Sequence, residues 1–153
     1  PDTDGPENDA AERPLHRRPA ALALVAVGAL IGTYARYAIE ELVPHSSGEW
    51  PWATFGINLA GAFALGLLLE GLARMGADDG WRRRARLCVG TGACGAFTTY
   101  STFALEGSEL IRDGHAVTGV GYLVASVAAG VVCAWLGIAV ASVIRGVPEE
   151  IIE

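Results

Sequence analysis

Lysine is missing from this chain of 153 residues: all eleven basic residues are arginine, and no block of them is dense enough for a nucleic-acid footprint. Cysteine is scarce and scattered (Cys88, Cys94, Cys133), which excludes a disulfide scaffold and offers no metal-ligand spacing. The three histidines, His16, His45 and His115, stand outside the apolar runs, and no nucleophile–base pairing can be assembled, so an enzyme is not expected. Charged residues supply 18% and aromatics 8% of the chain, with a net charge of −6. What is abundant is Ala, Val, Leu and Gly. The 52% hydrophobic share and the 20 glycines together reach roughly 65%, above the ordinary soluble range of about 45–50%. This palette excludes a disordered chain and suits closely packed membrane helices.

Charge-free runs occupy residues 19–35 (extended by 37–39 beyond Arg36), 50–69, 87–105 and 116–144. A spanning helix needs about 20 apolar residues, so the expected fold is an all-α integral membrane protein with four transmembrane helices. Residues 1–19, with four of the seven prolines and five acids, read as a disordered cytoplasmic tail without the order of a signal peptide. Residues 20–145 form the membrane domain and 146–153 a second short cytoplasmic tail. Trp50, Trp52 and Trp81 stand at run ends, as interfacial anchors do. With four spans, nine arginines share the side of the two tails and the second link, against Arg112, or two if Arg36 is counted. The positive-inside rule then places both termini in the cytoplasm of a bacterial-type plasma membrane.

Polar residues inside apolar runs need reasons. Thr54 and Asn58 lie four apart on one helix face of the second run; Asn58 reads either as interhelical glue or as an amide lining an anion path. The third run, GTGACGAFTTYSTFALE from Gly90, sets three glycines before Thr98, Thr99, Ser101 and Thr102, with Phe97, Tyr100 and Phe103 interleaved. Such a stretch hardly sustains a regular helix, and a break in it is expected to free carbonyls that can hold a cation. Tyr122 and Ser126, four apart in the fourth run, read as packing hydrogen bonds or as part of a polar track. Arg36 either snorkels to the interface or stands as a fixed charge at a pore mouth.

The segment GACGAFTTYSTF, Gly92 to Phe103, resembles the G-x-x-G-x-F-T-T-F-S-T-F signature of the CrcB/Fluc family of fluoride channels. Gly32-Thr-Tyr-Ala-Arg36-Tyr37 is similar to its first-helix G-x-x-x-R-Y, and Thr54 to Phe63 to its second-helix T-x-x-x-N-x-x-G-x-F. The resemblance implies small four-helix subunits paired as an antiparallel dimer with two paths for passive fluoride export. It implies Asn58 as the pore asparagine, Tyr100 and Phe103 as an aromatic box, and Ser101, Thr102, Tyr122 and Ser126 as hydroxyl-bearing positions. Thr54, Arg36 and Glu106 match neighbouring motif positions. Gly95 and Thr98 would offer backbone carbonyls to a structural sodium ion, shared by both subunits and not transported. Tyr100 departs from the family's phenylalanine. The one-sided arginines depart from the balance that insertion in both orientations requires, and point to an inverted paralogue as partner rather than a second copy. A small multidrug-type exporter and a non-conducting partner subunit are the alternatives; the first would need a membrane-embedded acid that the first run lacks.

Overall fold

The computed structural model describes residues 18–143. Of the expected tails at 1–19 and 146–153, Pro19 is the first residue of a helix, and residues 1–17 and 146–153 lie outside the described residues. Within them the regular structure is entirely helical: α1 (Pro19–Leu42), α2 (Trp52–Arg74), α3 (Gly80–Ala85), a π-wound segment (Arg86–Cys94), α4 (Gly95–Phe97), α5 (Tyr100–Arg112) and α6 (Ala116–Ala141). Helices α1, α2 and α6, of 24, 23 and 26 residues, are long and apolar enough to cross a membrane. At 1.5 Å per residue each exceeds the roughly 30 Å hydrocarbon core. The chain is a multi-pass membrane protein.

The ends of these helices follow from their sequences. Pro19 opens α1 at its first position, where a missing amide costs nothing. Helix α5 closes with a Schellman turn: the His115 amide donates to the Leu110 carbonyl at 2.8 Å and the Gly114 amide to Ile111 at 3.3 Å. Gly114 takes φ 89° there, a conformation that glycine alone adopts freely. Between α2 and the π-wound segment, Arg86 donates twice to Asp78, at 3.0 and 2.6 Å. That guanidinium holds the Asp78 carboxyl below its ordinary range.

Two tight pairs make up the bundle. Helix α2 packs on α6, where Gly66 lies against the Ala134 carbonyl and Gly137 against the Phe63 carbonyl. Helix α1 packs on the π-wound segment: a Cβ at Gly28 would strike the Cys88 carbonyl, and one at Gly32 the Ala93 carbonyl. Small residues are needed at both crossings because lipid gives no hydrophobic drive to helix pairing, and close backbone contact supplies the attraction.

The third apolar run differs from the first, second and fourth. It does not form one uninterrupted helix of spanning length. Thr98 (φ −75°, ψ 154°) and Thr99 (φ −142°, ψ 119°) are extended, so α4 and α5 are separate helices. The stretch from Glu106 to His115, read from its charges as a link, is helical as far as Arg112. Its apolar positions Leu110 and Gly107 are buried against α6, and that packing outweighs the surface charge.

Candidate functional site

The break at Thr98 and Thr99 is held by side chains in place of helical backbone bonds. Asn58, projecting from α2, accepts the Thr99 amide through Oδ1 at 2.9 Å and donates Nδ2 to the Thr99 carbonyl at 3.1 Å. Its carboxamide thus serves as a surrogate peptide group, one edge of which is fully occupied. Thr99 is the N-cap of α5. Its Oγ1 accepts the Thr102 amide at 3.1 Å and lies 3.0 Å from Thr102 Oγ1 and 3.3 Å from Ser101 Oγ. On the other side, Thr98 donates both its amide (3.1 Å) and its hydroxyl (3.0 Å) to the Cys94 carbonyl.

Around this break lies a cleft of about 430 Å³, open on one side. Asn58, Gly95, Thr98, Tyr100, Phe103 and Ser126 all contribute to its wall. Ser126 is 7% exposed, and its Oγ is one of two buried side-chain polar atoms without a hydrogen-bond partner among the described residues. Tyr100 is 82% exposed and its ring centroid stands 6.0 Å from that of Phe103. The wall is mostly apolar, and its amide, hydroxyl and aromatic members are of the kinds that can donate to an anion.

A second group is buried behind Phe103. Glu106 accepts Thr54 Oγ1 at Oε1 and Tyr122 OH at Oε2, each at 2.8 Å. A carboxyl at this depth requires such donors. Tyr122 is wholly buried, and its ring lies tilted against Phe103 with centroids 5.5 Å apart, which joins the two groups. Glu106 also borders a smaller cavity of about 230 Å³ with His45, Glu109 and Asp113; His45 Nε2 stands 3.9 Å from Glu106 Oε1.

The candidates taken from the sequence therefore fall into separate places. Asn58, Gly95, Thr98, Tyr100, Phe103 and Ser126 meet at the cleft, and Thr54, Glu106 and Tyr122 at the buried carboxyl. Ser101 and Thr102 turn their hydroxyls to Thr99 and are not part of the cleft wall. Arg36 pairs at 3.9 Å with Glu40 on its own helix, apart from both groups. Thr99 is named in the sequence only as one of the hydroxyl residues of the third run, with no role at the site. The signal was present, as a Thr three residues before a second hydroxyl at the start of a helical stretch.

A cation is implied at Gly95 and Thr98, and the donor pattern suits one. In an unbroken helix the Gly95 carbonyl would accept the Thr99 amide, and the Thr98 carbonyl the Thr102 amide. Asn58 takes the first of these amides and Thr99 Oγ1 the second. A Cβ built at Gly95 meets nothing within 4 Å, so its surroundings are open.

The family described as CrcB-like protein, Camphor Resistance (CrcB), matches residues 23–138. The chain is 44% identical over 132 residues, 86% of this chain and 92% of the relative, to Fluoride-specific ion channel FluC 1 of Cutibacterium acnes. It is 42% identical over 137 residues, 88% of this chain and 94% of the relative, to Fluoride-specific ion channel FluC 2 of Leifsonia xyli subsp. xyli. With Fluoride-specific ion channel FluC 2 of Rhodococcus jostii it shares 46% identity over 114 residues, 74% of this chain and 92% of that one.

Proposed function

This chain belongs to the CrcB-like family, and from that premise we propose that it is one subunit of a passive, fluoride-selective channel that releases cytoplasmic fluoride across the plasma membrane. The observation that carries the reading is the unpartnered hydroxyl of Ser126, buried beside Asn58, Tyr100 and Phe103 in one cleft. Fluoride is small and holds water tightly, so a path for it must replace that water with donors. Hydroxyl, amide and ring edges do this without a permanent cation that would bind the ion too well to release it. The Glu106 cluster continues the polar groups from Phe103 toward the cavity at His45, which gives the proposed path two ends.

In this reading the segment from α3 through α5 is the third of four spans, with its break at membrane depth. Extended backbone there needs a protein or aqueous surround, and the cleft's open side supplies a place for an inverted second subunit. The asymmetric arginines favour a paralogue as that subunit. Gly95 and Thr98 would hold a structural sodium with their carbonyls, and the ion would fix the two subunits at their shared centre.

The test is fluoride efflux from liposomes containing the purified chain, with chloride as control and sodium inside. Fast efflux selective for fluoride supports the channel. Its absence here and after adding an inverted paralogue refutes it.

A further inference from the structure

Thr99 and Asn58 divert the amide donors whose removal bares the Gly95 and Thr98 carbonyls. We infer that Thr99, through its Oγ1, and Asn58, through its Oδ1, are positioning residues for the cation site, each releasing one carbonyl from helical bonding; this rests on the channel reading above.

Each main-chain amide carries a single hydrogen. The Thr102 amide donates at 3.1 Å to Thr99 Oγ1, an N-cap bond, and so is withdrawn from the Thr98 carbonyl. The Thr99 amide donates at 2.9 Å to Asn58 Oδ1 and is withdrawn from the Gly95 carbonyl. One threonine stands at the centre of both exchanges, as donor in one and acceptor in the other. The φ and ψ of Thr99, −142° and 119°, keep it out of the helix and preserve both diversions. Asn58 also donates to the Thr99 carbonyl at 3.1 Å, which locks that extended conformation from the side of α2. A carbonyl already accepting an amide in a helix is a poorer cation ligand, because its lone pair points along the helix axis to that donor. Cation affinity should therefore depend on side chains that never touch the cation.

Purified full-length protein in detergent is titrated with sodium chloride against N-methylglucamine chloride, and the melting temperature is followed. Thr99→Val keeps the shape but removes the acceptor, so the uncapped Thr102 amide competes for the Thr98 carbonyl against the hold of Asn58 on the main chain of residue 99. The sodium midpoint should rise about tenfold, the equivalent of one weakened charge-assisted contact. Thr99→Ser restores the acceptor and should stay within about threefold of the parent. A threonine that merely capped α5 would lower the melting temperature at every sodium concentration without moving the midpoint. An unmoved midpoint in Thr99→Val overturns the inference and leaves the channel reading standing. Where Thr99→Val does not fold, Asn58→Leu probes the Gly95 carbonyl in the same titration, and an unmoved midpoint there is equally decisive. A parent protein that conducts fluoride but gains no stability from sodium removes the cation from both readings; a parent that gains stability from sodium but passes no fluoride, alone or with a paralogue, refutes the channel alone.

Discussion

Tyr122 and Glu106, sixteen residues apart and on different helices, meet in a 2.8 Å hydrogen bond from which the tyrosine ring is fully shielded. The carboxyl's other oxygen is held by Thr54, so α2, α5 and α6 are tied together through a single side chain. Removing one donor leaves a buried carboxyl oxygen unpaired. Tyr122→Phe should cost about 1–3 kcal/mol of stability and Thr54→Val a similar amount. Denaturation of the purified protein in detergent measures both, and a melting profile equal to the parent's would show that the cluster is not closed.

The glycines of α1 separate packing from flexibility. A methyl at Gly28 runs into main-chain atoms of Cys88 and Ala93, which cannot move aside as a side chain would. Gly28→Ala should destabilise by about 1–3 kcal/mol. At Gly56, in the second turn of α2, a new Cβ meets nothing within 4 Å. Gly56→Ala should be neutral, or more stable by up to roughly 1 kcal/mol from helix propensity. The contrast is read in one set of melting curves.

Tyr100 stands largely exposed at the cleft, and its hydroxyl has no hydrogen-bond partner among the described residues. Tyr100→Phe should leave stability unchanged and retain fluoride efflux at an altered rate. Loss of efflux would mean that the phenol is part of the path.

The pair of Asp78 and Arg86 sets a pH expectation. Because Arg86 lowers the folded-state pKa of Asp78 from its ordinary 3.8, the pair favours the folded link above that value. Its contribution fades as pH falls through the lowered pKa, and Asp78→Asn should abolish the acid sensitivity of this link. Both groups are solvent-accessible, so the effect is small and weakens with salt. Protease cleavage of the link, followed as the pH is taken from neutral down past the ordinary carboxylate value, reads the effect.

Arginine asymmetry predicts a single orientation. Cysteines placed near Ser47 and near Asp79 should be labelled from opposite faces of the cell membrane. Equal labelling of either from both faces would sink the inverted-paralogue proposal in favour of pairing with itself.

The three long helices were legible because apolar length is a one-dimensional property. Asn58, Tyr100 and Phe103 were legible because their spacing within two short motifs survives without coordinates. The Glu106 cluster was not: its donors lie 52 and 16 residues away, and nothing in a run of apolar residues announces which hydroxyl meets which acid. Thr99 escaped for a different reason. Half of its work is done by a main-chain amide, which every residue but proline possesses. The glycines of the third run foretold weak helix, yet weak helix is compatible with several windings, and the π form is found where the segment packs on α1.

That winding has a consequence for how α1 and its neighbour mesh. Gly28 and Gly32, four residues apart on an α-helix, meet Cys88 and Ala93, five residues apart on the wider coil. The two rods are geared at four teeth to five, like the scales of a vernier. Were the wider coil to tighten to α geometry, each lost residue per turn would swing everything beyond it by about 100°, carrying Gly95 and Thr98 off their bearing. Deleting one residue between 86 and 94 should thus be far more damaging than most substitutions there, because it slips the gear.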